Sequence, residues 1–140
     1  MNIVITTFSG CSNGDVKLKP NGMAMIYHQN SWVPICGHYF WNNHIGANKF
    51  CQKIGFDSGR VSGKDEAKSY SVDAFKIGQC NEDDVGLQCS GGCNDNNVGA
   101  VCTEDTNLGC SAGEPVRIRI FCEGNSNKTS SCKGISSFYY

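Results

Sequence analysis

The sequence predicts a small disulfide-rich domain of the α+β class, in which a β-sheet packs against one helix. Three observations predict it: ten cysteines in 140 residues, several short alternating segments bounded by turn residues, and one window with helical periodicity. Only 39% of the residues are apolar, so disulfides are expected to replace part of the missing hydrophobic burial. An even number of cysteines at this density indicates an oxidising, extracellular environment.

The single helix is expected within residues 41–56. Apolar residues recur there at i, i+3, i+4 and i+7, which places them along one face of a helix. These residues are Ala47, Phe50, Cys51 and Ile54. Asn43 is the expected N-cap, and Gly55 is the expected left-handed residue that ends the helix. A cysteine on the buried face would tie the helix to the sheet that covers it.

Three strands are expected before this helix, and they are residues 15–19, 23–28 and 32–36. Between the first two, Asn21 and Gly22 form a dipeptide that strongly favours a hairpin turn. The third strand contains Pro34, which has no N–H group to donate to a neighbouring strand. We therefore expect this strand at a sheet edge or at a bulge.

After the helix, the clearest strand is residues 114–123, where apolar Val116, Ile118 and Ile120 alternate with two arginines. Residues 72–77 are a further candidate strand. Residues 57–71 are polar, contain two glycines and are expected to form a long surface loop.

An internal repeat lies between the two candidate strands. Residues 80–89 read CNEDDVGLQC and residues 93–102 read CNDNNVGAVC, which share the pattern C-N-x-x-x-V-G-x-x-C. Ten residues are too few for a solenoid repeat, so we interpret the two copies as successive disulfide-closed loops. The first loop carries Glu82, Asp83 and Asp84, and such an acidic loop is most often a solvated one.

The two ends of the chain are interpreted as appendages of a domain that spans residues 15–123. Residues 1–14 form an N-terminal arm with a β-like run at residues 3–8. Residues 124–140 form a tail rich in Ser, Asn and Lys. Asn127 opens the sequence Asn-Lys-Thr and is a candidate N-glycosylation site.

Residues 15–56 also carry an ordered set of motifs: V-K-L, a hairpin, Tyr-His, a turn, W-V-P-I-C and a helix that ends in F-C-Q-K-I-G-F. This order resembles the scavenger receptor cysteine-rich (SRCR) domain family. The residues that carry the resemblance are Val16, Leu18, Trp32, Val33, Cys36, Trp41, Ala47, Cys51, Gln52, Ile54, Gly55 and Phe56. The resemblance implies a curved antiparallel β-sheet cradling one α-helix, and it is looser after residue 56.

Ten cysteines allow about 945 complete pairings, so the expected pairing is the one that the resemblance implies. Two of the family's three core bridges link the cysteine after the third strand to the penultimate cysteine of the domain, and the helix cysteine to the last one. The third closes a short loop. The matching pairs are Cys36 with Cys110, Cys51 with Cys122, and Cys80 with Cys89. The internal repeat offers an alternative, in which Cys36 pairs with Cys93 and Cys51 with Cys102.

We prefer the first pairing because residues 114–123 form the better closing strand for the sheet. Under this pairing Cys93 and Cys102 close a second local loop. Cys11 and Cys132 are then left to join each other, and their bridge would staple the two termini together.

No catalytic residue, metal site or cofactor is expected. The even cysteine count leaves no free thiol as a nucleophile, and the motifs of serine hydrolases, P-loops and dinucleotide sites are absent from the sequence. Many SRCR domains bind calcium through acidic residues, because carboxylate oxygens are the ligands that this cation prefers. Here Gly37 and His38 follow the first core cysteine, and AFKIGQ precedes Cys80. Too few acids therefore remain to carry the family's metal site over.

The net charge of −1 does not provide the basic field that nucleic-acid binding requires. No apolar run approaches the roughly 18 residues of a membrane-spanning helix. The resemblance to SRCR domains implies a secreted, non-enzymatic recognition or adhesion module, whose loops bind an extracellular protein or glycan.

The alternative is a structural subunit of an extracellular polymer, filament or coat, assembled from copies of itself through its terminal arms. The N-terminal run has strand propensity and no charge, so it could add to the sheet edge of a neighbouring copy. The C-terminal aromatic rings could fill an apolar pocket. The candidate contact residues are Ile3, Ile5, Phe8, Phe138, Tyr139 and Tyr140.

Overall fold

A computed structural model of the chain describes residues 4–7, 10–36, 43–66, 74–94, 101–106, 115–132 and 136–139. Ahead of the helix lie β1 (Val4–Thr7), β2 (Val16–Leu18), β3 (Ala24–His28) and β4 (Ser31–Cys36), and the helix α1 is Ile45–Ile54. The later strands are β5 (Ser58–Glu66), β6 (Phe75–Lys76), β7 (Gln88–Cys89), β8 (Gly91–Cys93), β9 (Cys102–Thr103), β10 (Pro115–Glu123) and β11 (Ser136–Tyr139). The predicted α+β class is confirmed.

The largest sheet has the strand order β2-β3-β4-β10-β5, with β6 added to β4. Neighbours along the main path run antiparallel, but β6 runs parallel to β4. The sheet is therefore mixed, and the expectation of a wholly antiparallel sheet was wrong. The parallel pairing sets Phe75 opposite Ile35, and both side chains are buried in the core.

The hairpins before the helix form as predicted. In the first, the N–H group of Gly22 donates to the carbonyl of Lys19 at 2.8 Å. In the second, Gln29 and Asn30 both adopt positive φ angles, 51° and 63°, which is the backbone of a tight turn matched to the twist of the strands. The resulting register pairs Tyr27 with Trp32.

Pro34 lies in β4, an interior strand of the large sheet that pairs with β3 without a register shift, so the expectation of a sheet edge or a bulge was wrong. It sits opposite Met25 of β3. On β4, pairing with β6 begins at Ile35, and pairing with β10 is at Cys36. The ladders to β6 and β10 therefore do not require an N–H group from Pro34, which removes the conflict with its missing donor.

The buried helix stripe is confirmed: Ala47, Phe50, Cys51 and Ile54 are at most 1% exposed. Gly55 ends the helix with a φ of 103°, as predicted, and its N–H group donates to the carbonyl of Gln52 at 3.0 Å.

The predicted N-cap was wrong by one residue. His44, with a φ of 60°, is the capping residue and provides no side-chain cap. Asn43 still contributes, because its Oδ1 accepts a hydrogen bond from the N–H group of Ile45 at 3.0 Å.

The surface loop expected at residues 57–71 was also wrong, because most of this segment is the nine-residue strand β5. It pairs with β10 along its length, from Ser58 opposite Glu123 to Glu66 opposite Pro115. The segment contains one β-branched residue, Val61, so strand propensity alone did not reveal it. The long ladder offered by β10 outweighs that weak local preference.

Gly59 marks the closest approach of the helix to β5. A Cβ atom at this position would overlap the Sγ atom of Cys51 and lie 2.9 Å from the carbonyl oxygen of Ala47. Cys51 is bonded to Cys122, which is the cross-strand neighbour of Gly59. The side-chain oxygen of Asn48 accepts a hydrogen bond from the N–H group of Gly59 at 3.1 Å. The disulfide bond and the hydrogen bond thus fix the helix on the sheet, and the lack of a side chain at Gly59 allows the two to approach this closely.

The described residues contain four disulfides whose two partners are both described: Cys11–Cys132, Cys51–Cys122, Cys80–Cys89 and Cys93–Cys102. Each is a pair of the preferred pairing, and the alternative partner for Cys51 does not occur. Cys36 is also disulfide-bonded, while Cys110, its expected partner, lies outside the described residues. The two repeats are indeed closed loops of equal length, with a sequence separation of 9 in each.

The tail after β10 returns along the outer edge of β2. The N–H group of Leu18 donates to the carbonyl of Thr129 at 2.8 Å, and that of Ser131 donates to the carbonyl of Val16 at 2.9 Å. The Ser131 hydroxyl accepts from the N–H group of Val16 and donates to Asp15, both at 2.9 Å. This segment therefore covers a sheet edge that would otherwise be open to another chain.

The structural role assigned to Gly59 predicts that Gly59→Ala destabilises the protein by about 2 kcal/mol or more, because the added methyl group overpacks the junction of helix and sheet. Denaturant unfolding measures the change. Gly63→Ala is the matched control on the same strand, since a Cβ atom there meets nothing closer than 3.9 Å. Equal stability of the two variants would contradict this account of the junction.

Candidate functional site

Residues 80–89, closed by the disulfide Cys80–Cys89, form an exposed loop that we call the acidic loop. It presents Glu82, Asp83 and Asp84 beside Val85, whose side chain is 69% exposed. A single exposed valine is common on protein surfaces. Val85 differs from such residues because the backbone around it is held in place by hydrogen bonds and a disulfide.

The brace of the acidic loop comes from the helix. The Lys49 ammonium group donates to the carbonyl oxygens of Asp84, at 2.5 Å, and Glu82, at 3.3 Å. Within the loop, the carboxylate of Asp84 accepts the N–H group of Asn81 at 2.7 Å. Hydrogen bonds from a charged donor are stronger than neutral ones. The conformation that presents Val85 is therefore set before any ligand arrives.

The base of the acidic loop is part of the core. Leu87 is 1% exposed and Cys80 is 2% exposed. Strand β7 pairs with β8, and β8 pairs with β9, so the two repeats share a three-stranded sheet. At the end of the second repeat, Val101 is 64% exposed, and its N–H group donates to the side chain of Asn94 at 2.9 Å.

Two further acids hold this small sheet to the rest of the domain. Glu104 accepts the N–H group of Lys76 at 3.1 Å. The Ser90 hydroxyl donates to the carboxylate of Asp105 at 2.7 Å, and the N–H group of Asp105 donates to the carbonyl of Lys76 at 3.0 Å. The carboxylates of Glu104 and Asp105 therefore have a structural role, in contrast to those of Glu82 and Asp83.

A groove of about 510 Å³ lies where the tail covers β2. We call it the lysine groove, and its lining residues are Lys17, Leu18, Lys19, Pro20 and Thr129. The Lys17 ammonium group stands 4.7 Å from the centre of the Trp32 ring, a cation–π contact that positions its charge. Lys19 is exposed. The groove combines an apolar lining with two positive charges.

A third exposed cluster occupies the outer face of β5 and β10. Arg60 stacks over the ring of Phe121, 4.7 Å from its centre, and forms an ion pair with Glu123. Phe121 is 48% exposed. Because Arg60 already contacts both Phe121 and Glu123, the cluster is a weaker candidate for ligand binding than the acidic loop or the lysine groove.

Half of the candidate assembly contacts can be placed. Ile5 lies in β1, and Phe138 and Tyr139 lie in β11. The two strands form a separate antiparallel sheet in which Ile5 is opposite Phe138, so the arms pair with each other in one chain. Ile3, Phe8 and Tyr140 lie outside the described residues.

Asn127, the candidate glycosylation site, is exposed. Its neighbour Lys128 is also exposed, and the N–H group of Lys128 donates to the hydroxyl of Ser126 at 3.2 Å. The sequon thus stands in a surface turn, in the same tail segment that borders the lysine groove.

In the described part of the chain, one group of potential metal ligands converges: Cys11, Asp15 and Cys132, whose ligand atoms lie within 4.8 Å of one another. The two sulfur atoms are bonded to each other. A disulfide lacks the thiolate that binds metals, so this group is a structural bridge beside a carboxylate. No helix in the described ranges has the length and apolar character needed to cross a membrane.

Comparisons with protein-family models, with curated proteins and with solved structures find no match to this chain. The acidic loop and the lysine groove are therefore judged on their own geometry.

Sequence reasoning located the acidic loop through the repeat but missed what makes it a candidate site. Its brace, Lys49, lies on the polar side of the helix, where a lysine is usually a solvated residue. The lysine groove was missed entirely, since Thr129 reaches Leu18 only in the folded chain. The alternation at β2 was the one local signal, because it predicts that Lys17 faces away from the core.

If Lys49 fixes the acidic loop, Lys49→Met should loosen it while leaving the core intact, because methionine keeps an apolar stem but has no donor. Amide hydrogen exchange at residues 81–88 should accelerate about tenfold or more, the scale of a lost charged hydrogen bond. Lys128→Met is the control, since that lysine is exposed and lies away from the loop. Unchanged exchange in Lys49→Met would show that the disulfide alone holds the loop.

Proposed function

We propose that the protein is a non-enzymatic extracellular recognition or adhesion module of the SRCR type, which binds its ligand through the acidic loop. The observation that carries this proposal is the exposed Val85 on a loop closed by a disulfide and braced by Lys49. The motif order of residues 15–56 supports the family assignment. The disulfides among the described residues support an extracellular location.

The physical advantage of such a loop is preorganisation. A loop that is already ordered loses little conformational entropy on binding, so more of the contact energy appears as affinity. Binding loops on rigid scaffolds are a common arrangement for recognition. An apolar tip next to free carboxylates fits a protein surface that offers an apolar depression rimmed by Lys or Arg. We therefore favour a protein ligand over a glycan.

The proposal predicts that Val85→Asp weakens ligand binding by tenfold or more, as expected for a contact at the centre of an interface. Panels of purified extracellular proteins and glycans, probed with the native protein, would supply the ligands to be retested. Val101→Asp is a matched control, because it places the same charge at a similarly exposed valine, 64% against 69%. An undiminished affinity of Val85→Asp, or a larger loss for Val101→Asp, would contradict the assignment to the acidic loop.

The alternative function, a structural subunit of an extracellular polymer, is favoured by one observation. In the described part of the chain, β1 and β11 form a separate sheet of two strands. A two-stranded sheet is marginally stable by itself, and each strand has an outer edge that a second copy could extend. In this function the paired arms, rather than each arm alone, would form the contact between subunits.

Removal of residues 1–10 and 133–140 tests this alternative, because it deletes the parts of both arms outside the Cys11–Cys132 bridge, including β1 and β11. If the arms mediate assembly, light scattering and native mass measurement should show polymers of the full chain and monomers of the truncated one. The melting temperature should hardly change, since the arms form a separate sheet. A full-length chain that stays monomeric at high concentration, or a truncated chain that still polymerises, would contradict the structural function.

A further inference from the structure

We propose that the acidic loop recognises the lysine groove of a second copy of this chain. This inference rests on the function proposed above, because it names the partner of the same loop. Val85 would enter the apolar part of the groove, and the carboxylates beside it would face the lysines.

The shapes of the two surfaces are complementary. The acidic loop exposes one apolar side chain, Val85, on a backbone held in place by Lys49. The lysine groove is concave, and Leu18 and Pro20 contribute to its lining. Its volume of about 510 Å³ falls within the range of pockets that hold ligands, and it therefore has room for a valine side chain.

The charges of the two surfaces are opposite in sign. Glu82 and Asp83 are exposed, and no described residue forms an ion pair with either. On the other side, Lys19 is exposed and is likewise without an ion pair in the described ranges. Lys17 adds a second positive charge, held over the Trp32 ring. Opposite charges that meet across an interface favour the correct partner and steer the encounter.

The acidic loop and the lysine groove of one chain are separate surfaces. Lys49 fixes the acidic loop on the helix, whereas the groove lies where the tail meets the edge of β2. None of the groove-lining residues belongs to the loop. The contact therefore joins different surfaces of two copies, and the pair as a whole keeps one free loop and one free groove. Such a head-to-tail contact can continue from copy to copy.

The contact is expected to be weak and sensitive to salt. Exposed ion pairs contribute little individually, and a change from about 0.1 M to about 1 M salt shortens the screening length from about 10 Å to about 3 Å. Weak contacts of this kind become effective when many copies are displayed side by side. That behaviour suits adhesion between surfaces that carry the same protein.

The test is an exchange of charges between the two surfaces, read by sedimentation velocity on the full-length chain. Lys17→Glu with Lys19→Glu gives a groove variant, and Glu82→Lys with Asp83→Lys gives a loop variant. Asp84 is left unchanged because it holds the N–H group of Asn81. Each variant alone should self-associate at least tenfold more weakly than the native chain, because like charges then meet.

An equimolar mixture of the two variants should recover association, since the acidic loop of one meets the basic groove of the other, and the reversed charges also match. Arg60→Glu with Lys76→Glu is the control for net charge. It makes the same charge change as the groove variant at two residues that belong neither to the groove lining nor to the acidic loop, and it should self-associate like the native chain. Unchanged melting temperatures would show that every variant is folded.

Four results would overturn the inference: a native chain that is monomeric at millimolar concentration and low salt, two charge variants that associate like the native chain, a mixture that fails to recover association, or a control that loses it. The first result, combined with a foreign ligand that Val85→Asp no longer binds, would reject self-recognition and retain the proposed function. Assembly that survives both charge exchanges but disappears with the terminal arms would instead support the structural subunit.

Discussion

The bond between Cys51 and Cys122 is the constraint on which the rest of the structure depends. It joins the buried face of the helix to β10 at the point where Gly59 leaves room for the sulfur atoms. The bridge spans 71 residues, and in the chain-entropy model a loop of that length contributes about 4 kcal/mol. The same helix carries Lys49, so the bond that positions the helix also positions the acidic loop. The disulfide between Cys51 and Cys122 thus anchors both the scaffold and the candidate site.

The features that could be predicted are those whose signals are local. The helix stripe follows from a periodicity within ten residues, and the turn at Asn21 and Gly22 follows from a dipeptide. The repeats predicted two disulfide-closed loops because the two cysteines of each repeat are close in sequence. Strand β5 gave no such signal, since glycine and charged residues dominate it. Its conformation is decided by the ladder with β10, about 60 residues away in the chain.

The candidate site also combines features with a local sequence signal and features that depend on distant contacts. The acids of the acidic loop were visible in the sequence, yet their composition alone favoured a solvated loop. The brace from Lys49 crosses 35 residues, and no local pattern reports that the lysine meets backbone carbonyls. The lysine groove depends on the tail lying against β2, a contact between residues 115 positions apart for Val16 and Ser131. Sequence patterns identify what a surface carries, whereas distant contacts decide whether it is fixed.

The bridge between Cys11 and Cys132 has a consequence for biosynthesis. Its cysteines are 121 residues apart, so at about 5 to 20 residues per second the ribosome adds the second cysteine roughly 6 to 24 seconds after the first. During that interval the edge of β2 is uncovered, because the segment that pairs with it has not been made. The nascent chain therefore carries the Cys11 thiol beside an open strand edge, to which another chain can pair. Closure of this bridge marks the moment at which translation has delivered the tail.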